Sequence, residues 1–177
     1  LEQFGTGTTI TNAVYYLAHY TVAAYYVDAA DKQLWREALI DYLGDVEDDD
    51  AKENTPVTAL GAALWALAQT GPLDSTPVWD GITLQDLPGV LQLHRCTVWN
   101  AQYTGNFYWR FDHQYGLGYT EDDVYGILGL AASQAQGYDF GADIDGAWMQ
   151  MRKAVDCYNP DPALRGMVYA HVDLTDR

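Results

Sequence analysis

Between Tyr108 and Asp123 the chain reads YWRFDHQYGLGYTEDD, which sets Arg110, Asp112, His113, Glu121, Asp122 and Asp123 among aromatic rings and glycines. Carboxyl groups near a His and an Arg are what general acid/base cleavage of a glycosidic bond uses: one protonates the leaving oxygen and the other acts as base or nucleophile. On this reading Asp112, His113, Glu121, Asp122 and Asp123 are the candidate acids and bases. Aromatic faces supply the other half of such a cleft, because sugar rings present apolar C–H faces that stack on them. Trp99, Tyr103, Phe107, Trp109, Arg110, Tyr115 and Tyr119 are the candidate binding residues. The alternative is architectural. The rings pack a loop onto helices, Arg110 pairs with an acid, and Glu121 to Asp123 form the acidic first turn of a helix capped by Thr120.

Two further acid clusters invite a metal. Asp45, Glu47 and Asp49 lie in one loop and Asp139, Asp143 and Asp145 in another, and hard oxygen ligands gathered in loops suit calcium. Neither cluster has the EF-hand's Gly at the sixth loop position and Glu at the twelfth, and a solvated acidic surface is the competing reading. Cys96 and Cys157 are far apart in sequence; a bridge between them would stabilise the fold by roughly 4 kcal/mol in the chain-entropy treatment. The disulfide goes with an oxidising exterior, and two reduced thiols with a reducing interior. Cys/His spacing for zinc, a GxSxG elbow, an HExxH helix and a phosphate-cradling loop are all missing from the sequence. His19, His94 and His171 are expected to be satisfied structural histidines.

These residues need a scaffold, and the apolar periodicity describes a mainly all-α one of about six helices arranged as three αα-hairpins. Thr11 to Ala30 reads as a first helix capped by Thr11, with Val14, Leu17, Ala18, Thr21, Val22 and Tyr25 on one face. Asp31 to Leu43 reads as a second, carrying Leu34, Trp35, Ala38, Leu39 and Tyr42 inward and stopping at Gly44. DVEDDDAKEN, from Asp45 to Asn54, is a self-repelling connector. A third helix opens at Thr55-Pro56, is apolar nearly all round, and ends at Gly71-Pro72, so it belongs at the centre. A turn-rich stretch from Leu73 to Gly81 precedes a fourth helix in TLQDLPGVLQLHR, which Pro88-Gly89 breaks or delays. Thr97 to Tyr119 lacks helical spacing and reads as an aromatic-rich loop or β-hairpin insertion. A fifth helix runs from Thr120 to Gln136 and stops at Gly137; a sixth spans Ile144 to Cys157 with Trp148, Met151 and Val155 inward. MVYAHVDL alternates as a short C-terminal strand does.

The third and fifth helices echo one another. TPVTALGAALWALAQTG and TEDDVYGILGLAASQAQG align with Gly61 on Gly126, Leu64 on Gly129, Trp65 on Leu130 and Ala66 on Ala131, and each is a small-residue helix that permits close approach of a neighbour. This pattern, with the approach GLGYTEDDVYGILGLAA, resembles the helical-hairpin repeats of α/α-toroid proteins of the prenyltransferase and squalene-cyclase type. The resemblance covers Thr11 to Cys157 and implies about half of a six-hairpin toroid within a single helical-repeat domain spanning residues 1–177. DVEDDD does not reproduce the Asp-rich catalytic motif of the cyclases. Set in a cleft of the toroid type, the carboxyl and aromatic residues above would belong to a polysaccharide-acting enzyme, a glycoside hydrolase or lyase, or a fragment of one.

Charge narrows the partners. Twenty-five acidic residues against 9 basic ones give a formal charge of -16, a field that repels phosphate backbones and excludes nucleic acid. No apolar run reaches the roughly 20 residues of a membrane span. The chain starts at Leu1 without an initiator Met, which suits a processed protein or an excised domain. Fourteen Tyr and 6 Trp exceed what a small core needs, and surplus aromatics suit protein contacts. Together these describe an extracellular or cell-surface, non-catalytic module that self-associates, as a homo-oligomer or larger assembly, or binds a ligand such as carbohydrate through an acidic aromatic surface. The polysaccharide-acting enzyme is the alternative, and calcium the one cofactor considered.

Overall fold

The computed structural model describes residues 10–27, 29–45, 57–93, 95–97, 107–109, 117–148 and 170–172. The described chain is mainly α-helical: α1 (Ile10–Val27), α2 (Ala29–Gly44), α3 (Val57–Thr70), α4 (Leu87–Leu93), α5 (Thr120–Gln134) and α6 over residues 141–148. A 3-10 turn at Leu84–Asp86 leads into α4. Short strands β1 (Pro77–Trp79), β2 (Ile82–Thr83), β3 (Arg95–Thr97), β4 (Phe107–Trp109), β5 (Leu117–Tyr119) and β6 (Ala170–Val172) form three antiparallel pairs, β1 with β2, β3 with β4, and β5 with β6.

α3 is central because its sequence, VTALGAALWALAQT, carries no charge on any face. Leu60, Ala62, Ala63, Leu64, Ala66 and Leu67 are wholly buried. α1 and α5 both pack against α3. Small residues bring α3 and α5 to backbone contact. A Cβ added at Gly129 would stand 2.8 Å from the Gly61 carbonyl oxygen, and one added at Gly61 would strike the Tyr125 carbonyl and lie 3.1 Å from the Gly126 nitrogen. At the other end Gln136 donates to the carbonyls of Ala68 at 2.6 Å and Gly71 at 2.9 Å, while its Oε1 accepts the Leu73 amide at 2.7 Å. Gly61 thus lies beside Gly126 and Gly71 beside Gln136. Both pairs are 65 residues apart, so α3 and α5 run parallel in the register of the sequence echo.

The carboxyl ends of these helices, where orphan carbonyls gather, are closed by long side chains from neighbours. Arg36 of α2 is buried, yet its guanidinium donates to the carbonyl of Leu67, to Thr70 Oγ1 at 3.1 Å and to the carbonyl of Pro72 at 2.7 Å. Burial lowers its pKa and nearby Asp74 opposes that; the negative end of the α3 dipole offsets part of the cost of burying the charge. Trp79 does the same for α2, donating its indole N–H to the Leu43 carbonyl at 2.8 Å. Buried hydroxyls bond back one turn, Thr21 to Leu17, Thr70 to Ala66 and Ser133 to Gly129, so none of the three opens a polar gap in the core.

Several boundaries and faces differ from the sequence expectation. α1 spans Ile10–Val27, which places Thr11 inside the helix, and α2 opens at Ala29, ahead of the expected Asp31. Tyr25 and Leu34 are exposed, as is Trp148 on α6, because each lies on the outer side of its helix. Val14, Leu17, Ala18, Thr21, Val22 and Leu39 are buried as their spacing predicts. Asp80-Gly81 turns the β1–β2 hairpin, with Gly81 at φ 73°, inside a stretch the sequence offered only as turns. The delayed start of α4, the stop of α5 near Gly137 at φ 96°, the strand pairing in the aromatic insertion and the C-terminal strand all follow the pattern of the sequence.

Candidate functional site

The α1–α2 hairpin turns large rings towards solvent. Tyr16 and Tyr20 stand one helical turn apart and are each about half exposed, at 49% and 50%. Tyr20 stacks on Trp35 of α2, with ring centroids 5.4 Å apart and planes 23° from parallel. Leu34, next in sequence to Trp35, is exposed, as are Tyr26 and Val27 at the end of α1. Lys32 lies 4.2 Å over the Tyr25 ring, and Gln69 of α3 donates to the Tyr26 hydroxyl at 3.1 Å, which ties this end of α1 down. Asp31, Glu37 and Asp41 are exposed along α2, so the aromatic face is bordered by carboxylates.

On the inward side of α1 a second aromatic group is polar and wired. Tyr15, His19, Trp65 and Tyr125 meet where α1, α3 and α5 converge, and all four are partly buried. His19 Nδ1 lies 2.8 Å from the Tyr15 carbonyl and Nε2 lies 2.9 Å from the Tyr125 hydroxyl, which is 3.0 Å from the Tyr15 hydroxyl. His19 is thus engaged through both ring nitrogens.

The residues singled out in the sequence are placed as follows. Asp112, His113, Arg110, Tyr115, Trp99 and Tyr103 lie outside the described residues, as do Glu47, Asp49 and Cys157. Phe107 and Trp109 are in β4, where Trp109 is in register with Arg95 and Phe107 with Thr97; Cys96 in β3 is opposite Tyr108. Tyr119 in β5 is opposite Ala170, and Glu121, Asp122 and Asp123 fall in the first turn of α5. Asp45 is exposed at the end of α2. Asp139 accepts the Gly141 amide at the start of α6, Asp143 is buried and accepts Gln92 Nε2 at 2.7 Å, and Asp145 is exposed. Among the described residues no three His, Cys, Asp or Glu side chains are grouped so as to hold a metal ion.

Other carboxylates serve local structure. Asp86 accepts both the amide of Thr83, at 2.9 Å, and its hydroxyl, at 2.6 Å, and these bonds hold its carboxyl below the usual range. Asp74 is lowered in the same way by Thr76. Tyr138 donates to the Gln85 carbonyl at 2.9 Å; partial burial, with Asp86 nearby, raises its phenol above the ordinary value.

The α1–α2 face was legible in principle. With Val14, Leu17, Ala18 and Thr21 inward, helical geometry places Tyr16 and Tyr20 on the opposite side. No known protein family matches this chain, nor does any curated protein or solved structure. Among the described residues no helix is long and apolar enough to cross a membrane.

Proposed function

We propose that this chain is a non-catalytic binding module of the extracellular space or cell surface, and that it meets a neutral polysaccharide through the aromatic face of α1 and α2. The observation that carries this reading is the Tyr20–Trp35 stack with Tyr16 beside it: large rings held in place by helix packing, yet half open to water. Rings fixed in this way lose little conformational entropy on binding and offer flat apolar area with a polar tip. A formal charge of -16 disfavours polyanions such as polyuronates and points to uncharged chains. The parallel α3–α5 pair and its 65-residue register support a helical-repeat scaffold of the α/α-toroid kind behind that face.

The test is retention of the full chain on insoluble cellulose and on a soluble neutral glucan, with polygalacturonate as the charged control. Retention on neutral glycan that persists at high salt, with quenched Trp fluorescence, is the expected result, because stacking is not screened as charge attraction is. Absence of retention, combined with a multimer by light scattering, would instead assign the face to contacts between copies of the chain.

A further inference from the structure

The two aromatic groups on α1 are joined. Tyr16, on the exposed face, and Tyr15, in the hydrogen-bonded group, meet edge to face with ring centroids 5.5 Å apart and planes 74° from parallel. Tyr15 in turn stands edge to face with Tyr125 of α5 at 5.3 Å, and the His19 ring lies 5.7 Å from Trp65 of α3. Aromatic surface therefore runs from Trp35 on α2, through Tyr20 and Tyr16, across α1 to α3 and α5. Its two ends differ in chemistry. The α2 end offers a stacked pair of rings, while the α5 end sets the hydroxyls of Tyr15 and Tyr125 3.0 Å apart, with His19 Nε2 2.9 Å from the second.

The polar end has hydrogen-bonding capacity left over. A phenol oxygen donates once and accepts twice, and among the described residues the Tyr15 oxygen contacts only that of Tyr125. At least one acceptor position therefore stays open on Tyr15 whichever way the protons run along the series. A sugar hydroxyl, which both donates and accepts, suits either direction. Tyr15, His19, Trp65 and Tyr125 are partly rather than fully buried, so water reaches this end of the surface as it reaches the other.

We propose that this polar end is a second subsite for the same neutral glycan chain. Apolar sugar faces stack on Tyr16, Tyr20 and Trp35, and a sugar unit further along hydrogen-bonds the hydroxyls of Tyr15 and Tyr125. The proposal rests on the reading of the α1–α2 face as a glycan surface and adds to it a dependence on chain length. The occupant is uncharged because the chain's formal charge is -16 and the group contains no Lys or Arg to pair with an acidic sugar. Two phenols that already hold one another lose little freedom on meeting a ligand, and a hydrogen-bonded series strengthens its members. A short oligosaccharide occupies one end; a longer one spans both.

The test is calorimetric titration of the full chain with cellobiose and with cellohexaose. Cellohexaose is expected to bind at least about tenfold more tightly, from the contacts added at the second subsite. Tyr125→Phe and, separately, Tyr15→Phe keep the ring but remove one hydroxyl, and each should weaken cellohexaose binding by roughly fivefold, the scale of one net hydrogen bond. Circular dichroism reports whether each variant is folded. Should either unfold, tyrosine-selective labelling and nuclear magnetic resonance of the unmodified chain decide: the Tyr15 and Tyr125 signals should move further with cellohexaose than with cellobiose. Cellohexaose affinity unchanged in both hydroxyl variants but weakened by Tyr20→Ala would overturn the second subsite and leave the α1–α2 face standing. Cellohexaose that fails to bind the unmodified chain would overturn both.

Discussion

The α3–α5 seam and the α1–α2 face use their residues in opposite ways. At the seam Gly61, Gly126 and Gly129 let two backbones touch, so the contact has no side chain able to move aside. On the α1–α2 face Tyr16, Tyr20 and Trp35 keep rings partly in water, where a substitution leaves the buried core largely intact. The seam is where sequence changes should cost stability, and on the proposed function the face is where they should cost binding. Arg36 belongs with the seam although it comes from α2, because its three acceptors are all at the carboxyl end of α3.

The largest effect should come from Gly61→Val. The added Cβ meets the Tyr125 backbone, which cannot rotate away, so the loss should reach or exceed the upper end of the roughly 1–3 kcal/mol typical of overpacking. Chemical denaturation would show this, and an unchanged midpoint would mean that the helices separate without penalty. Arg36→Met comes next. It keeps the apolar stem but strips the donors from buried acceptors of α3, at about 2 kcal/mol; an unchanged midpoint would show that water replaces the guanidinium. Tyr20→Ala should move the thermal midpoint little, since exposed positions usually stay within about 0.5 kcal/mol, while weakening glycan retention. The smallest effect concerns Asp86, whose exposed carboxyl is lowered by Thr83. Its contribution is fully present above the ordinary Asp range and is lost as pH falls through the depressed folded value. Asp86→Asn should therefore lower stability slightly at neutral pH and leave it unmoved below the depressed folded value, which flattens the acid limb of the stability–pH curve.

The helical architecture was readable because it rests on periodicity. Leu60, Leu64 and Leu67 recur at helical spacing in a segment free of charge, and this alone places α3 at the centre. Gly61 and Gly126 were aligned by the internal echo, although the echo does not say that aligned residues touch; that follows from parallel packing, a tertiary property. The role of Arg36 was hidden because two of its three partners are main-chain carbonyls, 31 and 36 residues away, which leave no residue-type signal. His19 and Tyr125 are separated by 106 residues, so their hydrogen bond had no local signature either. Residues 99–119 are denser in aromatics than α1, where the YY doublets Tyr15-Tyr16 and Tyr25-Tyr26 each place one ring on a more exposed side.

Binding at the α1–α2 face is tested most directly by glycan affinity against thermal midpoint for the double variant Tyr16→Ala, Tyr20→Ala beside the unmodified chain. Affinity for neutral glucan should fall by at least about tenfold, near 1.4 kcal/mol, while the unfolding midpoint stays close to that of the unmodified chain. Equal affinity in the two chains, or a fall in affinity matched by a collapse in stability, would contradict the assignment of binding to the α1–α2 face.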